Sequence, residues 1–217
     1  MKKSILLTIV ATLSIFCLTA KAGIVYSFKQ IAEEGDGPIE LADGAIGEAQ
    51  LFVEVIELTP KQVIFGFTNT GPSACSIADI YFDDGVLLGI ASIDNSCPGV
   101  SFSQSPTPHN LPGGHTLIPP FVATEGFSAD SDPPVEHNGI NPNEWLGITF
   151  DLKSGKTYDD VINNLNSCDL RIGIHVQGYA SGGSESFVNV PEPATVTLLS
   201  AGLGIVTLLR KRRSRRS

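Results

Sequence analysis

The side chains best suited to chemistry in this sequence are carboxylates that fall in two clusters. Asp79, Asp83 and Asp84 surround an Asp-Gly turn, and Asp130 and Asp132 form the second cluster. Calcium takes six to eight oxygen ligands, and carboxylates in loops can supply them. The spacing of an EF-hand is absent, so we name Asp79, Asp83 and Asp84 as calcium candidates and keep solvated acidic loops as the alternative. No other metal and no cofactor is expected.

No set of residues in the sequence forms a recognisable nucleophile and base. The histidines are scattered and lack zinc-ligand spacing: His109, His115, His137 and His175. Gly126-Phe127-Ser128-Ala129-Asp130 lacks the second glycine of a nucleophile elbow. Cys168 lies close in sequence to His175, which does not imply contact. We therefore expect no catalytic residues and no enzyme, with a secreted hydrolase as an alternative.

The elements that would position these side chains are mostly short strands. Alternating apolar residues predict strands at Ile24–Phe28, Ala49–Leu58, Val63–Phe67, Trp145–Leu152 and Leu170–Gly178. Frequent Gly and Pro, together with low helix propensity, favour an all-β fold. The sequence predicts a single β-sandwich or jelly-roll-like domain with one short helix.

Turn signals connect these strands. Thr59-Pro60-Lys61 predicts a hairpin between the second and third strands, and Asp83-Asp84-Gly85 predicts a hairpin between Ile77–Phe82 and Val86–Ile93. Thr157 and Asp160 resemble a capping box at the start of the one short helix. The acidic, Gly-rich segment from Glu33 to Gly47 is expected to be a loop, as are the long segments 98–120 and 130–142.

The amino terminus has the pattern of an export signal. Lys2 and Lys3 precede an apolar stretch, and Ala20-Lys21-Ala22 fits a small-x-small cleavage site. We expect residues 1–22 to be a signal peptide and the mature chain to begin at Gly23. An uncleaved anchor is the alternative.

The carboxy-terminal residues have the pattern of a membrane anchor. Val190-Pro191-Glu192-Pro193 precedes an uncharged stretch of 16 residues, 194–209. As a helix this stretch would be about 24 Å long, slightly less than the ~30 Å hydrocarbon core, and flanking cations can extend its reach. The basic stop cluster that follows would stay cytoplasmic and consists of Arg210, Lys211, Arg212 and Arg213. A buried core helix with a solvated basic tail is the alternative.

This tail closely resembles the PEP-CTERM sorting signal of surface-destined proteins in Gram-negative bacteria. The resemblance covers about residues 190–217 and is carried by Pro191, Glu192 and Pro193, the apolar stretch and the basic cluster. It implies that exosortase, a membrane-embedded protease, recognises the motif and removes the tail. It also implies an inner-membrane stage with a periplasmic ectodomain, followed by the cell surface or the medium, and by analogy a link to exopolysaccharide or biofilm.

The division that follows is a signal peptide at 1–22, a β-rich ectodomain at 23–180, a polar linker at 181–189 and the sorting signal at 190–217. The signal has a transmembrane stretch at 194–209 and a basic tail at 210–217. Between the signal peptide and the basic cluster that begins at Arg210, the chain has only five Lys or Arg but all 23 Asp and Glu, for a net charge near −18. A field of that sign repels phosphate backbones, so nucleic acid is excluded as a partner.

An exported domain meets oxidising conditions, and its three cysteines are Cys75, Cys97 and Cys168. A hairpin between the first two would bring them together, so we expect a Cys75–Cys97 disulfide with Cys168 unpaired. Three buried, reduced thiols are the alternative.

The main expectation is a non-enzymatic surface or extracellular-matrix protein. A carbohydrate-binding module is the second possibility, because β-sandwiches often bind sugars through exposed aromatic side chains. Trp145, Tyr158 and Tyr179 are the candidates for such contacts.

Overall fold

A computed structural model of the chain describes residues 23–83, 85–105 and 109–191. These residues form ten strands: β1 (Ile24–Gln30), β2 (Leu51–Thr59), β3 (Gln62–Asn69), β4 (Ser76–Asp83), β5 (Leu87–Asp94), β6 (Phe102–Gln104), β7 (Ser128–Ser131), β8 (Trp145–Leu152), β9 (Arg171–Gln177) and β10 (Glu185–Asn189). The described helices are α1 (Pro38–Gln50), α2 (Val135–Asn138) and α3 (Tyr158–Ser167), with a 3₁₀ turn at Gly114–Thr116.

The strands form one continuous antiparallel sheet in the order β5-β8-β3-β2-β1-β10-β9-β4-β7-β6. Strand β1 joins its two halves. Residues 24–27 pair with β2, whereas residues 28–30 pair with β10. We call β5-β8-β3-β2 the first half-sheet and β10-β9-β4-β7-β6 the second half-sheet. The all-β prediction is confirmed in this coarse form.

The two half-sheets face each other across an aromatic core. The Phe82 ring, on β4 of the second half-sheet, makes edge-on contacts with rings of the first half-sheet. Its centroid lies 5.0 Å from that of Phe65 on β3 and 4.6 Å from that of Phe150 on β8. All three side chains are fully buried. Edge-to-face aromatic pairs of this kind add specificity to the burial of apolar surface, so these rings fix how the halves pack.

The hairpin predicted around Asp83-Asp84-Gly85 is wrong. Strand β4 pairs with β9 and β7 in the second half-sheet, whereas β5 pairs with β8 at the far edge of the first. The chain therefore crosses between half-sheets at this turn. The hairpin predicted between β2 and β3 is confirmed, with a register running from Leu51 opposite Asn69 to Thr59 opposite Gln62.

The segment predicted as a loop between Glu33 and Gly47 contains helix α1, so the expectation of a single short helix is wrong. Pro38 occupies the first turn, and the Glu40 carboxylate accepts the backbone N–H of Gly37 at 2.9 Å. Four glycines within residues 33–47 had indicated a loop. A Cβ at Gly44 or Gly47 would clash with the side chains of Gln30 and Phe187 respectively, so these glycines allow the helix to lie close to the sheet.

The predicted polar linker at residues 181–189 is also corrected. Its second half is β10, which lies between β1 and β9 in the middle of the sheet. The Phe187 side chain is fully buried. The short helix predicted after Thr157 is confirmed as α3. The Asp160 carboxylate accepts the Thr157 backbone N–H at 2.9 Å, and the Asp160 backbone N–H donates to the Thr157 hydroxyl.

The predicted Cys75–Cys97 disulfide is absent, since both thiols are free and buried while Cys168 is free and exposed. The hairpin that was to bring the two together does not form. Cys75 instead lies in a buried polar cluster, where the Gln50 side chain donates to its Sγ atom at 3.0 Å. Burial raises the pKa of the Cys75 thiol, with the donors Gln50 and Asn69 acting in the opposite direction.

The predicted signal peptide at 1–22 and the predicted transmembrane stretch at 194–209 lie outside the described residues. Among the helices that the structure does describe, none combines the length and apolar character needed to cross a bilayer.

Candidate functional site

A row of polar side chains crosses the second half-sheet on the face opposite the aromatic core. The antiparallel register places Ser186 of β10 opposite His175 of β9, and His175 opposite Asp79 of β4. Asp79 in turn lies opposite Asp130 of β7. The His175 Nδ1 atom is 2.9 Å from the Asp79 carboxylate, which fixes the imidazole in place.

A small second core covers part of this face. It consists of Ile31, Tyr81, Leu111 and Phe121, so the long segment after β6 folds back over the sheet. Gly173 of β9 allows this close approach, because a Cβ at that position would lie 2.6 Å from a methyl carbon of Leu111. The segment is held from the side by Arg171, which pairs with Asp83 and donates to the Pro119 carbonyl.

Beside this second core is a pocket of about 180 Å³, which we call the acidic pocket. Its carboxylates come from the loop after β1, from the first turn of α1 and from the start of β10, and they are Glu33, Asp36, Glu40 and Glu185. His175, Ser184 and Ser186 also line it. No Lys or Arg is among its described lining residues.

Glu185 is the most buried of these carboxylates, with 9 % of its surface exposed. One oxygen accepts the side-chain amide of Gln30 at 2.8 Å. Burial raises the pKa of the Glu185 carboxyl; the Gln30 hydrogen bond opposes this shift, and the negative charges of Asp36, Asp43 and Glu40 add to it. Sequence reasoning did not identify Glu185, because it assigned this residue to a linker.

The calcium candidates have other partners where the structure describes them. The Asp79 carboxylate contacts the His175 imidazole, and Asp83 forms a salt bridge with Arg171, the residue directly opposite it on β9. Asp84 lies outside the described residues. In the described part of the chain, no three His, Cys, Asp or Glu side chains converge in a way that could hold a metal ion. Asp132, from the second cluster, accepts the hydroxyls of Ser101 and Ser103 at 2.7 Å each, and these bonds lower its pKa.

Of the three aromatic residues proposed for sugar contacts, the structure exposes one. Tyr158 and Tyr179 are buried, and the Tyr158 hydroxyl donates to the Val55 carbonyl at 3.0 Å. Trp145, in contrast, is 40 % exposed. It lines a shallow groove of about 320 Å³, which we call the Trp145 groove, with Thr68, Thr70, Asn143 and Glu144.

The sorting residues follow the folded domain directly. Strand β10 ends at Asn189, and the Val190 backbone N–H donates to the Ser27 carbonyl of β1 at 3.0 Å. Pro191 is exposed. Glu192, Pro193 and the basic cluster from Arg210 to Arg213 lie outside the described residues.

Comparison with models of known protein families identifies the carboxy-terminal segment. Residues 189–213 match the model of the PEP-CTERM protein-sorting motif. The chain carries a PEP-CTERM sorting motif. No curated protein matches the sequence.

The PEP-CTERM motif implies a surface or extracellular protein that exosortase sorts and processes. It also implies export and anchoring in the membrane through the carboxy terminus before processing. The match covers the tail and a single residue of β10, so it assigns no role to the acidic pocket or to the Trp145 groove.

Proposed function

We propose that this PEP-CTERM protein is a non-enzymatic component of the cell surface or extracellular matrix, associated with exopolysaccharide or biofilm. Its ectodomain faces the periplasm while the tail is anchored in the inner membrane, and exosortase then releases the domain to the surface. The observation that carries this proposal is the sorting motif at residues 189–213. The strongly acidic, β-rich domain is suited to solubility outside the cell.

The sorting motif begins directly at the end of the folded domain, so cleavage within the motif would release a domain with its complete sheet. Because Val190 is still hydrogen-bonded to β1 and Pro191 is exposed, the motif is presented without an intervening linker. Proline fixes φ and lacks an N–H, so the chain leaves the sheet at Pro191 in an extended form that a protease can accommodate. Cleavage beyond this point leaves β10 and the sheet intact.

The test is intact-mass analysis of the protein recovered from its native host. The expected product lacks residues 1–22 and the basic tail, and it is found outside the inner membrane. A matched variant with Pro191, Glu192 and Pro193 all changed to Ala should stay in the membrane with its tail. Recovery of intact residues 1–217 from the cytosol would overturn the proposal.

The non-enzymatic part of this proposal is supported by the polar row. Ser186, His175 and Asp79 share one face, an arrangement with the residue types of a hydrolytic triad. Such a triad needs a hydrogen bond from the nucleophile to the base. Among the described residues, His175 is bonded to Asp79 and lies 3.5 Å from the Gln177 amide, and no hydrogen bond joins it to Ser186.

Carbohydrate binding at the Trp145 groove is the second candidate function, and the exposed indole favours it. A flat aromatic face can stack on a sugar ring, while Asn143 and Thr70, both exposed beside it, offer amide and hydroxyl groups for hydrogen bonds to sugar hydroxyls. Because the chain has a single Trp, its fluorescence reports on this groove alone.

Titration with exopolysaccharide from the native host, followed by Trp145 fluorescence, tests this second function. A saturable change is expected for the natural chain. A Trp145→Ala variant should lose retention on a polysaccharide column, whereas Leu58→Ala, at another exposed apolar side chain, should not. Equal retention of both variants would remove the groove from consideration.

A further inference from the structure

A short apolar loop is exposed where the segment after β6 folds back over the second half-sheet. Ile118 is 98 % exposed and Val122 is 61 % exposed. Pro119 and Pro120 between them are exposed as well. We call residues 118–122 the apolar tip. Single apolar side chains are common on protein surfaces, but a contiguous exposed group of them marks contact with another apolar surface.

The fold holds the apolar tip in one position. The Phe121 side chain at its centre is buried in the second core. The Arg171 guanidinium carbon lies 5.3 Å from the centroid of the Phe121 ring. Arg171 also donates to the Pro119 and Pro120 carbonyls at 2.7 Å each. The exposed side chains therefore belong to a loop that is already ordered, so binding would cost little further conformational entropy.

Arg171 also places the apolar tip beside the point where the chain leaves the domain. Val188 of β10 lies opposite Gly173 of β9. Continued by two residues, the antiparallel register sets Val190 opposite Arg171, at a spacing between strands of about 4.8 Å. The Val190 backbone N–H is still bonded to β1. The chain thus leaves the sheet next to the residue that holds the tip.

The sorting motif limits how far this exit can lie from the membrane. The PEP-CTERM motif implies anchoring through the carboxy terminus before processing. The stretch predicted to span the membrane begins at residue 194, only three peptide units beyond Pro191. Three extended units cover at most about 11 Å. While the chain is anchored, the exit therefore lies at the membrane surface, and the apolar tip beside it is within reach of lipid.

The backbone of the apolar tip is suited to an apolar environment. A backbone N–H or carbonyl without a partner is costly in lipid. Pro119 and Pro120 have no N–H, and both of their carbonyls accept from Arg171. The two residues at the centre of the exposed run therefore bring no unpaired backbone group into the membrane interface.

The side chains of the tip favour the apolar part of the membrane over its charged groups. No charged side chain occurs within residues 116–124, and the domain as a whole is strongly acidic. Arg171 is paired with Asp83, so its charge is already balanced. Attraction to anionic lipid is therefore not expected. The short connection to the anchor raises the local concentration of the tip at the membrane, so a weak apolar contact is sufficient.

We propose that the apolar tip inserts into the lipid surface of the membrane and docks the anchored domain on the bilayer. Ile118 and Val122 enter the interface, which fixes the direction in which Pro191 leaves the sheet towards the sorting enzyme. The proposal rests on the anchoring that the motif implies and goes beyond it, because it assigns a membrane contact to the folded domain itself. Once the tail is removed, the local concentration falls and the contact no longer holds the domain.

Fluorescence quenching by lipid tests the proposal on the full chain. The chain has a single Trp, so a Trp145→Phe background leaves room for one new indole. The chain with Ile118→Trp in this background is reconstituted into phosphatidylcholine vesicles with or without brominated acyl chains. The expected result is a blue-shifted emission that the brominated lipid quenches.

Ile39→Trp in the same background is the matched control, since Ile39 is also an exposed isoleucine. The neighbouring Glu40 carbonyl and the Glu185 carboxylate both accept from the Gln30 side chain. Ile39 is therefore close to the start of β10, and Val190 lies about 16 Å further along the strand. Its emission should be neither shifted nor quenched. Any preference of Trp itself for interfaces affects both reporters equally.

A charge introduced into the tip provides a second test. Val122→Asp added to the Ile118→Trp chain should reduce the quenching, because burial of a charge opposes insertion. Leu41→Asp, at an exposed position of α1, should leave the quenching unchanged. If the Ile118→Trp chain does not fold, Val122→Trp in the same background provides the same reporter.

Flotation of the vesicles distinguishes failure of this contact from failure of anchoring. A chain that floats with the vesicles while the Ile118→Trp emission is not quenched would overturn the tip contact and leave anchoring intact. A blue shift without lipid quenching would assign the tip to a contact with a second copy of the chain and also overturn the proposal. Equal quenching of both reporters would do the same, because it would indicate general adsorption. A chain that does not float would contradict the anchoring and this proposal together.

Discussion

At the scale of single residues, glycines determine how closely segments approach the sheet. Gly47 faces the Phe187 ring of β10 and Gly173 faces Leu111 and Phe121, and in each case a Cβ would overlap a buried side chain. Glycine is usually unfavourable inside helices and strands because of its backbone entropy. Here that cost is offset by packing that no larger residue allows.

We predict that Gly47→Ala destabilises the protein although alanine is the better helix former. The gain in helix propensity is about 1 kcal/mol, whereas forcing a methyl group against a buried ring costs about 1–3 kcal/mol. Urea denaturation should show a lower midpoint. Gly89→Ala is the control, since a Cβ there meets nothing within 4 Å. A Gly47→Ala variant as stable as the natural chain would show that α1 does not pack this closely.

A second residue-scale prediction concerns pH and Glu185. Because burial raises the pKa of this carboxyl, the folded state holds its proton more tightly than the unfolded state. The protonated Glu185 carboxyl therefore stabilises the folded state fully below the ordinary pKa of 4.5. This stabilisation is lost as the pH rises through the raised pKa of the folded state. Glu185→Gln should therefore be more stable than the natural chain at pH 7, with the difference shrinking towards pH 4. The measurement is urea denaturation at both pH values, with Glu34→Gln as the control. A constant difference at both pH values would contradict the raised pKa.

At the scale of elements, β10 is the strand on which the sheet and the sorting motif both depend. It pairs with β1 on one side and β9 on the other, so it connects the two half-sheets through the middle. Its last residue is also the first residue of the matched motif. A cut before β10 would remove a central strand, whereas a cut after Pro191 would remove none.

We predict that a chain ending at Pro191 folds and that one ending at Ser184 does not. Loss of β10 leaves the inner backbone groups of β1 and β9 without partners and exposes the cavity left by Phe187. Near-UV circular dichroism and heat denaturation should show a cooperative transition only for the longer chain. Cooperative unfolding of the shorter chain would restore the linker interpretation of residues 181–189.

At the scale of the whole molecule, β1 makes the two half-sheets one structure. The same strand contributes to both, and the Phe82 ring links them through the core. The apolar inner face of each half-sheet is covered by the other half-sheet, so either one alone would expose that face to water. Small domains with a single shared core usually unfold in one step.

We predict a single unfolding transition. Trp145 reports on the first half-sheet through fluorescence, and the C–H signals of His175 report on the second half-sheet through NMR. The two probes should give the same midpoint in urea, and Phe82→Ala should shift both midpoints together, with a loss of about 3–5 kcal/mol. Two separate midpoints would show that the half-sheets are independent units.

The candidate sites show which site residues can be predicted from sequence patterns and which cannot. Alternation along β9 by itself predicts that His175 faces away from the core, because successive side chains of a strand point to opposite faces. Its partners, Asp79 and Ser186, come from β4 and β10, and their pairing depends on sheet order. The sequence does not reveal the acidic pocket, since Glu185 is distant in sequence from Glu33 and Glu40, and all three lie in segments interpreted as loop or linker. The only local sign was the high density of acidic residues after Ile31.

The sequence by itself determined the sorting motif, most of the strands, the β2–β3 hairpin and the capped helix α3, because each is encoded by neighbouring residues. Tertiary structure alone decided that β4 and β5 separate, that residues 185–189 form a central strand and that Cys75 and Cys97 do not pair. Those outcomes depend on which distant surfaces bury each other. A glycine-rich segment is interpreted as a loop until the close surface that requires its glycines is known, and at Gly47 that surface is the Phe187 ring, more than a hundred positions away.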